Sequence, residues 1–427
     1  MTLKNGLLLL SGLLFAHTSL STMAAEEVLA FVGARLITGT GAQPIAEATL
    51  LVESGRITAV GPATAVSIPD QAIIHDVSGQ TIIPGLINAH GHLSGVRGLE
   101  SGHYTEQNLL RQLALYARYG VTTVNSLGDD GPEGFALRDR LQPDTLSHAR
   151  MLLTGRVLAP DSIAQAQAEV AAAASLDPAF IKIRVDDNLG RTAKMPMAIA
   201  AEISRQAQAF NIPLAVHTYY LEDTAELLRQ GADFVAHSVR DRHVDDNFIA
   251  LIKSTNACYS PTLTREVSTF VYEGEPEFFS DPFFLQEVDP QVIAGLRDPA
   301  RQQRLRQSES AQQYKASLAI AMTNLKILSD AGVRIAMGTD SGPVARFQGY
   351  FEHLEMAMMA DAGMSPMAIL QAATATAAEC LGLTDTGTLV SGNWADFVVL
   401  DANPLEDIRN TRTISQVWIA GNRVPGR

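Results

Sequence analysis

A chain of 427 residues with 46% hydrophobic content can bury a sizeable core in one large domain or two. Its formal net charge of −14 and the lack of any long basic run exclude a phosphate-binding face for nucleic acid. Although aromatic content is low, the hydrophobic content and the lack of low-complexity tracts exclude extensive disorder.

Residues 1–25 read as an export signal, placing the mature protein in the periplasm. Lys4 supplies the positive start, Leu7 to Ala16 the apolar run, and Thr22-Met23-Ala24 a small-residue cleavage site. No cysteine lies near that site, which argues against a lipoprotein. No later stretch reaches the roughly 18 apolar residues of a membrane span, so no membrane association is expected after removal. Only Cys258 and Cys380 are present, too few for a disulfide framework. One bridge is open to them, but a strand-like and a helical setting favour two small buried apolar side chains.

From Val28 to Ile83 the chain alternates β-branched and polar residues between Gly-containing turns, the pattern of short strands. The same texture returns only at the end, in GTLVSGNWADFVVLDANP and ISQVWIAGNRV. The two ends, residues 26–83 and 384–427, are expected to build one small β-sandwich together. Between them, residues 84–383 alternate strand and helix. EQNLLRQLALYARYG is an amphipathic helix closed by Gly120, followed by the strand VTTVNSLGD; RMLLTGRVL, AFIKIRV, LAVHT, ADFVAHS, CYSPTL and VRIAMGTDSG continue the strands. Such alternation predicts an α/β fold, a (β/α)8 TIM-like barrel. It stops at about residues 264–316, an insertion rich in Pro, Gly and acids with five Phe, which suits a lid or partner surface. Its phenylalanines could touch substrate or secure the lid.

In such a barrel, functional groups gather at the C-terminal strand ends. TIIPGLINAHGH ends a strand with His90 and His92. Residues two apart in extended chain point the same way, so both imidazoles can face one metal ion. The other strand ends carry Lys182, His217, His237 and Asp340. Singly each histidine suits a hydrogen-bonded core; together they point to metal. Lys182 would be costly inside AFIKIRV unless paired with Asp186 or Asp340, or converted by CO2 to a carbamate bridging two cations. Lys182, Arg184 and Asp186 share one strand face. Among the remaining histidines, His353 is best placed to line the pocket.

PGLINAHGH, the lysine of IKI, the histidines of AVHT and VAHS, GTDSG and the closing ADFVVLDANPL resemble the metal-dependent amidohydrolase superfamily. The resemblance is nearest its imidazolonepropionase-like and Xaa-Pro-dipeptidase-like branch. It implies two divalent cations, expected to be zinc: His90, His92 and Asp340 on one, His217 and His237 on the other, and carboxylated Lys182 between them. It further implies an exported hydrolase of a small-molecule amide, a dipeptide or N-acyl amino acid, in which a metal-activated hydroxide attacks and Asp340 is general base, then acid. Two segments depart from that branch: Arg184-Val185-Asp186-Asp187 replaces a Gly-rich turn, and Thr218-Tyr219-Tyr220 a small residue and Gly. Arg184, Tyr219, Tyr220 and Arg240 could hold an anionic group such as a peptide carboxylate. Alternatives are a single-metal cyclic amidohydrolase or lactonase, and a non-catalytic periplasmic binding protein. A homo-oligomer is left open.

Overall fold

A computed structural model of the protein describes residues 27–426; the leader expected at residues 1–25 lies outside them. The chain opens with β1 (Val28–Leu36), β2 (Ile45–Glu53), β3 (Arg56–Pro62), β4 (Ile73–Asp76) and β5 (Thr81–Pro84). It ends with three more strands, which the eight intervening parallel ones (β6 to β13, below) make β14 (Phe397–Leu400), β15 (Ile414–Ile419) and β16 (Asn422–Arg423). Both ends therefore join one sheet, as the sequence predicts. β5 is the seam: it runs parallel to β1, pairing Leu36 with Ile82, and antiparallel to β14, pairing Ile82 with Val399.

The expected sandwich of two facing sheets is corrected to one curled sheet of eight strands, in the order β16-β15-β14-β5-β1-β2-β3 with β4 beside β1. Flat, β1 and β15 would lie about 14 Å apart, three strand spacings. The Phe31 ring of β1 nevertheless sits 4.9 Å from both Phe397 and Trp418. The alternating apolar faces of one bent sheet thus close on each other, giving a core that also takes Leu50, Val52 and Val399.

The eight parallel strands are β6 (Leu86–Gly91), β7 (Val121–Ser126), β8 (Arg150–Leu153), β9 (Val157–Leu158), β10 (Ile181–Arg184), β11 (Leu214–His217), β12 (Phe234–Ala236) and β13 (Cys258–Ser260). They form two parallel sheets, β6-β7-β8 and β13-β12-β11-β10-β9. Nearly continuous burial along them fits strands covered on both faces. The run RMLLTGRVL, expected as one strand, is broken between β8 and β9. The Asp130 carboxylate holds the break, accepting hydrogen bonds from the backbone N–H of Thr154 (2.8 Å) and Gly155 (3.1 Å). VRIAMGTDSG, also expected as a strand, makes only an isolated bridge from Ile335 to Tyr259. Its backbone still reaches both sides: Ala336 N–H donates to Tyr259 O at 2.9 Å, and Thr339 N–H to His90 O at 3.0 Å. Helices follow the strands as expected; Glu106–Arg118, for instance, starts on the Thr105 side-chain cap and ends before Gly120 at φ +77°.

The insertion is helical. The helix Leu263–Phe270 opens it, shorter turns follow, and the helix Glu309–Asp330 leads back. Phe278, Phe279, Phe283 and Phe284 are buried against Tyr119, Tyr350 and Phe351. Edge-to-face pairs such as Phe284–Phe347, 4.7 Å between centroids, tie the insertion to the chain after Asp340. These phenylalanines hold the insertion down and do not contact the site.

The two cysteines are corrected outright. Cys258 and Cys380 form a disulfide across 122 residues, with Cα atoms 5.9 Å apart. The helix Ala375–Cys380 packs against the parallel sheet, bringing Cys380 beside the first residue of β13.

Candidate active site and metal centre

His90 lies in β6 and His92 just beyond it; Lys182 lies in β10, His217 ends β11, His237 follows β12, and Asp340 ends the segment beside β6. All six line one cavity of about 620 Å³. The strand-end rule therefore collects every residue expected of a metal site. Two of the six strain the backbone to present their side chains there, His237 at φ +77° and Asp340 at φ +57°.

The side chains divide into two groups. Ligand atoms of His90, His92 and Asp340 fall within 4.8 Å of one another. His92 Nδ1 donates to Gly128 O at 3.0 Å, which fixes the tautomer and turns Nε2 to Asp340 Oδ1 at 2.7 Å. His90 Nε2 is 3.6 Å from the same oxygen. On the other side the His217 and His237 rings are 4.2 Å apart, and His237 is 4.7 Å from His90. His237 Nδ1 hydrogen-bonds Thr262 Oγ1 at 2.7 Å, and His217 Nε2 donates to Asp186 Oδ2 at 2.9 Å. Lys182 lines the same cavity, its Nζ buried without a hydrogen-bond partner.

Burial pulls the Lys182 amine down to about 7 against the opposing charges of Asp340 and Asp129. Burial, with the nearby Lys182 charge, holds His90 well below the usual histidine range; burial, with His217, does the same to His237. His217 falls to about 3 through burial, which outweighs its bond to Asp186. Burial alone would raise Asp340, but Arg346 and His92 hold it well below the carboxylate range. Burial alone would lower His92, but its bond to Asp340, the Asp340 charge and its bond to Gly128 O together raise it. Three neutral imidazoles and an ionised carboxylate are the forms that ligate a divalent cation. The buried His90 Nδ1 and Lys182 Nζ have no partner, as in a donor set arranged for more than protein contacts. The residues fit a metal.

Of the residues expected to grip substrate, Arg184 is on the cavity wall with its side chain 46% exposed. Four others are not. Arg240 is fully buried, 2.9 Å from Glu266 and bonded to Thr218 O and Ser238 O, with the Tyr219 ring stacked on it. Tyr219 hydrogen-bonds Ser317, and Tyr220 donates to Asp187. His353 is buried between Thr411 and Tyr119 O. The loops after His217 and His237 turn under the rim, so closeness in sequence does not carry these groups to the cavity. Sequence reasoning missed Arg265 and Arg346, both on its wall. Arg346 donates to Asp340 Oδ2 and, through Nε, to Ser268 at 3.0 Å. Neither stands at a strand end, so spacing gave no signal for them.

Residues 81–424 match the model described as the Amidohydrolase family. An imidazolonepropionase of Deinococcus deserti is 24% identical over 412 residues, covering 88% of this chain and 92% of its own. The crystal structure of a putative prolidase from Bifidobacterium longum superposes with a TM-score of 0.75 at 25% identity, over 93% of this chain and 95% of that one. A Xaa-Pro dipeptidase with bound methionine does so with a TM-score of 0.74 at 19% identity, over 93% and 99%. With the family match running from β5 to β16 and a metal-ligand set at the strand ends, the chain belongs to the amidohydrolase family and is a hydrolase acting on carbon–nitrogen bonds.

Proposed function

We propose that this protein hydrolyses the amide bond of a dipeptide or N-acyl amino acid at a two-cation site. His90, His92 and Asp340 hold one cation, His217 and His237 the other, and Lys182, carboxylated by CO2, lies between them. One observation carries the reading: the Lys182 amine is buried on the wall of the cavity that both groups share, with no hydrogen-bond partner. With its pKa near 7, much of it is the free amine that adds CO2. A closed barrel of eight strands completes the proposal, counting the broken β8–β9 run as one and the Arg334–Asp340 segment as the last.

Divalent cations held there supply a Lewis acid for the amide carbonyl and a water of lowered pKa. Asp340 takes a proton from the attacking water on a carboxylate oxygen and passes it to the nitrogen as the C–N bond breaks. The Gly128 carbonyl and Asp186 keep His92 and His217 oriented throughout. Export is part of the proposal, supported by the Cys258–Cys380 disulfide, which suits an oxidising compartment.

A single-metal cyclic amidohydrolase is the second reading. Among the described residues only His90, His92 and Asp340 form a ligand cluster without help from Lys182, and one relative is named an imidazolonepropionase. Metal analysis and a substrate panel separate the two. About two ions per chain and release of amino acids from dipeptides or N-acetyl amino acids support the first. About one ion per chain, with turnover confined to cyclic amides or lactones, overturns it.

A further inference from the structure

A second cavity of about 710 Å³ adjoins the one that holds the metal-site residues, and the two share Val157 and Arg184. Its walls are largely apolar, with Leu158, Pro160, Met195 and Ile199. Two of the charged groups there are already matched, and a third, Asp161, is exposed. Lys194 bonds Asp223 at 2.7 Å and lies over the Tyr220 ring, while Asp186 is taken by His217. Arg184 differs. Among the described residues its only hydrogen bond runs from Nη2 to Asp186 at 3.3 Å, which leaves the rest of a half-exposed guanidinium fork facing the junction of the two cavities. The metal-side cavity is also lined by Arg265 and Arg346, with Asp129 and Asp340 among the same walls.

An amino acid released by amide cleavage bears its carboxylate and side chain on one carbon, a single bond from the leaving nitrogen. A cation at the junction with an apolar chamber beyond it matches those two substituents. We propose that Arg184 holds the carboxylate of the leaving amino acid and that the second cavity takes its large apolar side chain. The protein is thus selective for amides of hydrophobic amino acids with a free carboxyl group. This rests on the amide-hydrolase reading above and adds which side of the substrate is read, and by what.

The test uses the zinc-loaded enzyme with N-acetyl-L-phenylalanine, N-acetylglycine, N-octanoylglycine and N-acetyl-L-phenylalaninamide. N-acetyl-L-phenylalanine should exceed N-acetylglycine in kcat/KM by about tenfold to a hundredfold, the worth of burying an aromatic side chain. Amidating its carboxyl group should cost about tenfold or more, and Arg184→Met should impose a similar loss, mostly in KM, on the acid but not on the amide. Ala159→Trp, at an exposed alanine of the second cavity, should pull the phenylalanine-to-glycine ratio toward one. Calorimetry gives a readout apart from turnover: L-phenylalanine should bind the wild type more tightly than Arg184→Met. Preference for N-octanoylglycine, indifference to the carboxyl group, or an Arg184→Met variant equal to wild type on the acid overturns this assignment alone. Failure to cleave any of the four, or glycyl-L-phenylalanine tested beside them, overturns the amide-hydrolase reading and this one with it.

Discussion

The curled terminal sheet and the metal-binding rim are built from the same material, strands with alternating side chains, but to opposite standards. In the sheet the inward positions are apolar except for His75, whose ring stacks on Phe31; the rings of Phe31, Phe397 and Trp418 interlock, and no strand holds a buried side-chain polar atom without a partner among the described residues. At the rim, imidazoles, a lysine and a carboxylate are buried together, two polar atoms lack partners, and two residues take up left-handed backbone. The sheet spends its burial on stability. The rim gives stability up to keep donor atoms available, the expected trade at a site built for chemistry.

Substitutions on each side should separate these roles. The largest effect is expected at the rim. Asp340→Asn should lower turnover of the cognate amide by about 10²–10⁴-fold, the usual weight of a general base, with little change in melting temperature. Retention of full activity would remove Asp340 from the proton path. In the sheet, Phe397→Ala should do the reverse, costing about 3–5 kcal/mol in urea unfolding while the folded fraction keeps its kcat. A matching loss of kcat at temperatures where the variant is folded would mean that the two regions are coupled. The smallest effect sharpens the boundary between them. Buried Glu355 accepts hydrogen bonds from Leu263 N–H, Thr264 N–H and Thr264 Oγ1, anchoring the first helix of the insertion. Burial pushes its carboxyl group from 4.5 up to about 7 against those bonds. The folded state then holds the proton more tightly than the unfolded state, so this group's contribution to stability is full below about pH 4.5 and is lost as pH rises through about 7. Glu355→Gln should therefore gain on the wild type across that window, by on the order of 3 kcal/mol at most. A pH-independent difference between the two proteins would contradict the shift.

The metal-site residues were legible because their signal is local. Two histidines two apart at a strand end, a lysine inside an apolar run, and single histidines closing LAVH and FVAH each stand out against their own neighbours. The strand–helix alternation was legible for the same reason, through periodicity, caps and glycines. What escaped depends on how loops travel. Arg240 lies three residues after His237, yet the turn folds it inward onto Glu266, while Arg265 and Arg346, which stand at no strand end, arrive on the cavity wall. The disulfide escaped because only the packing of a distant helix brings its halves together. The curl of the terminal sheet escaped because alternation reveals which face is apolar but not what that face meets.

The Cys258–Cys380 bond encloses the insertion, the Arg334–Asp340 segment and the helices behind it in one covalent ring. A protease that nicks an exposed turn of the insertion would therefore release no fragment: on a non-reducing gel the clipped protein would migrate as a single species, and only a thiol would part its two pieces. Under the export proposed above, that ring makes a surface cut survivable.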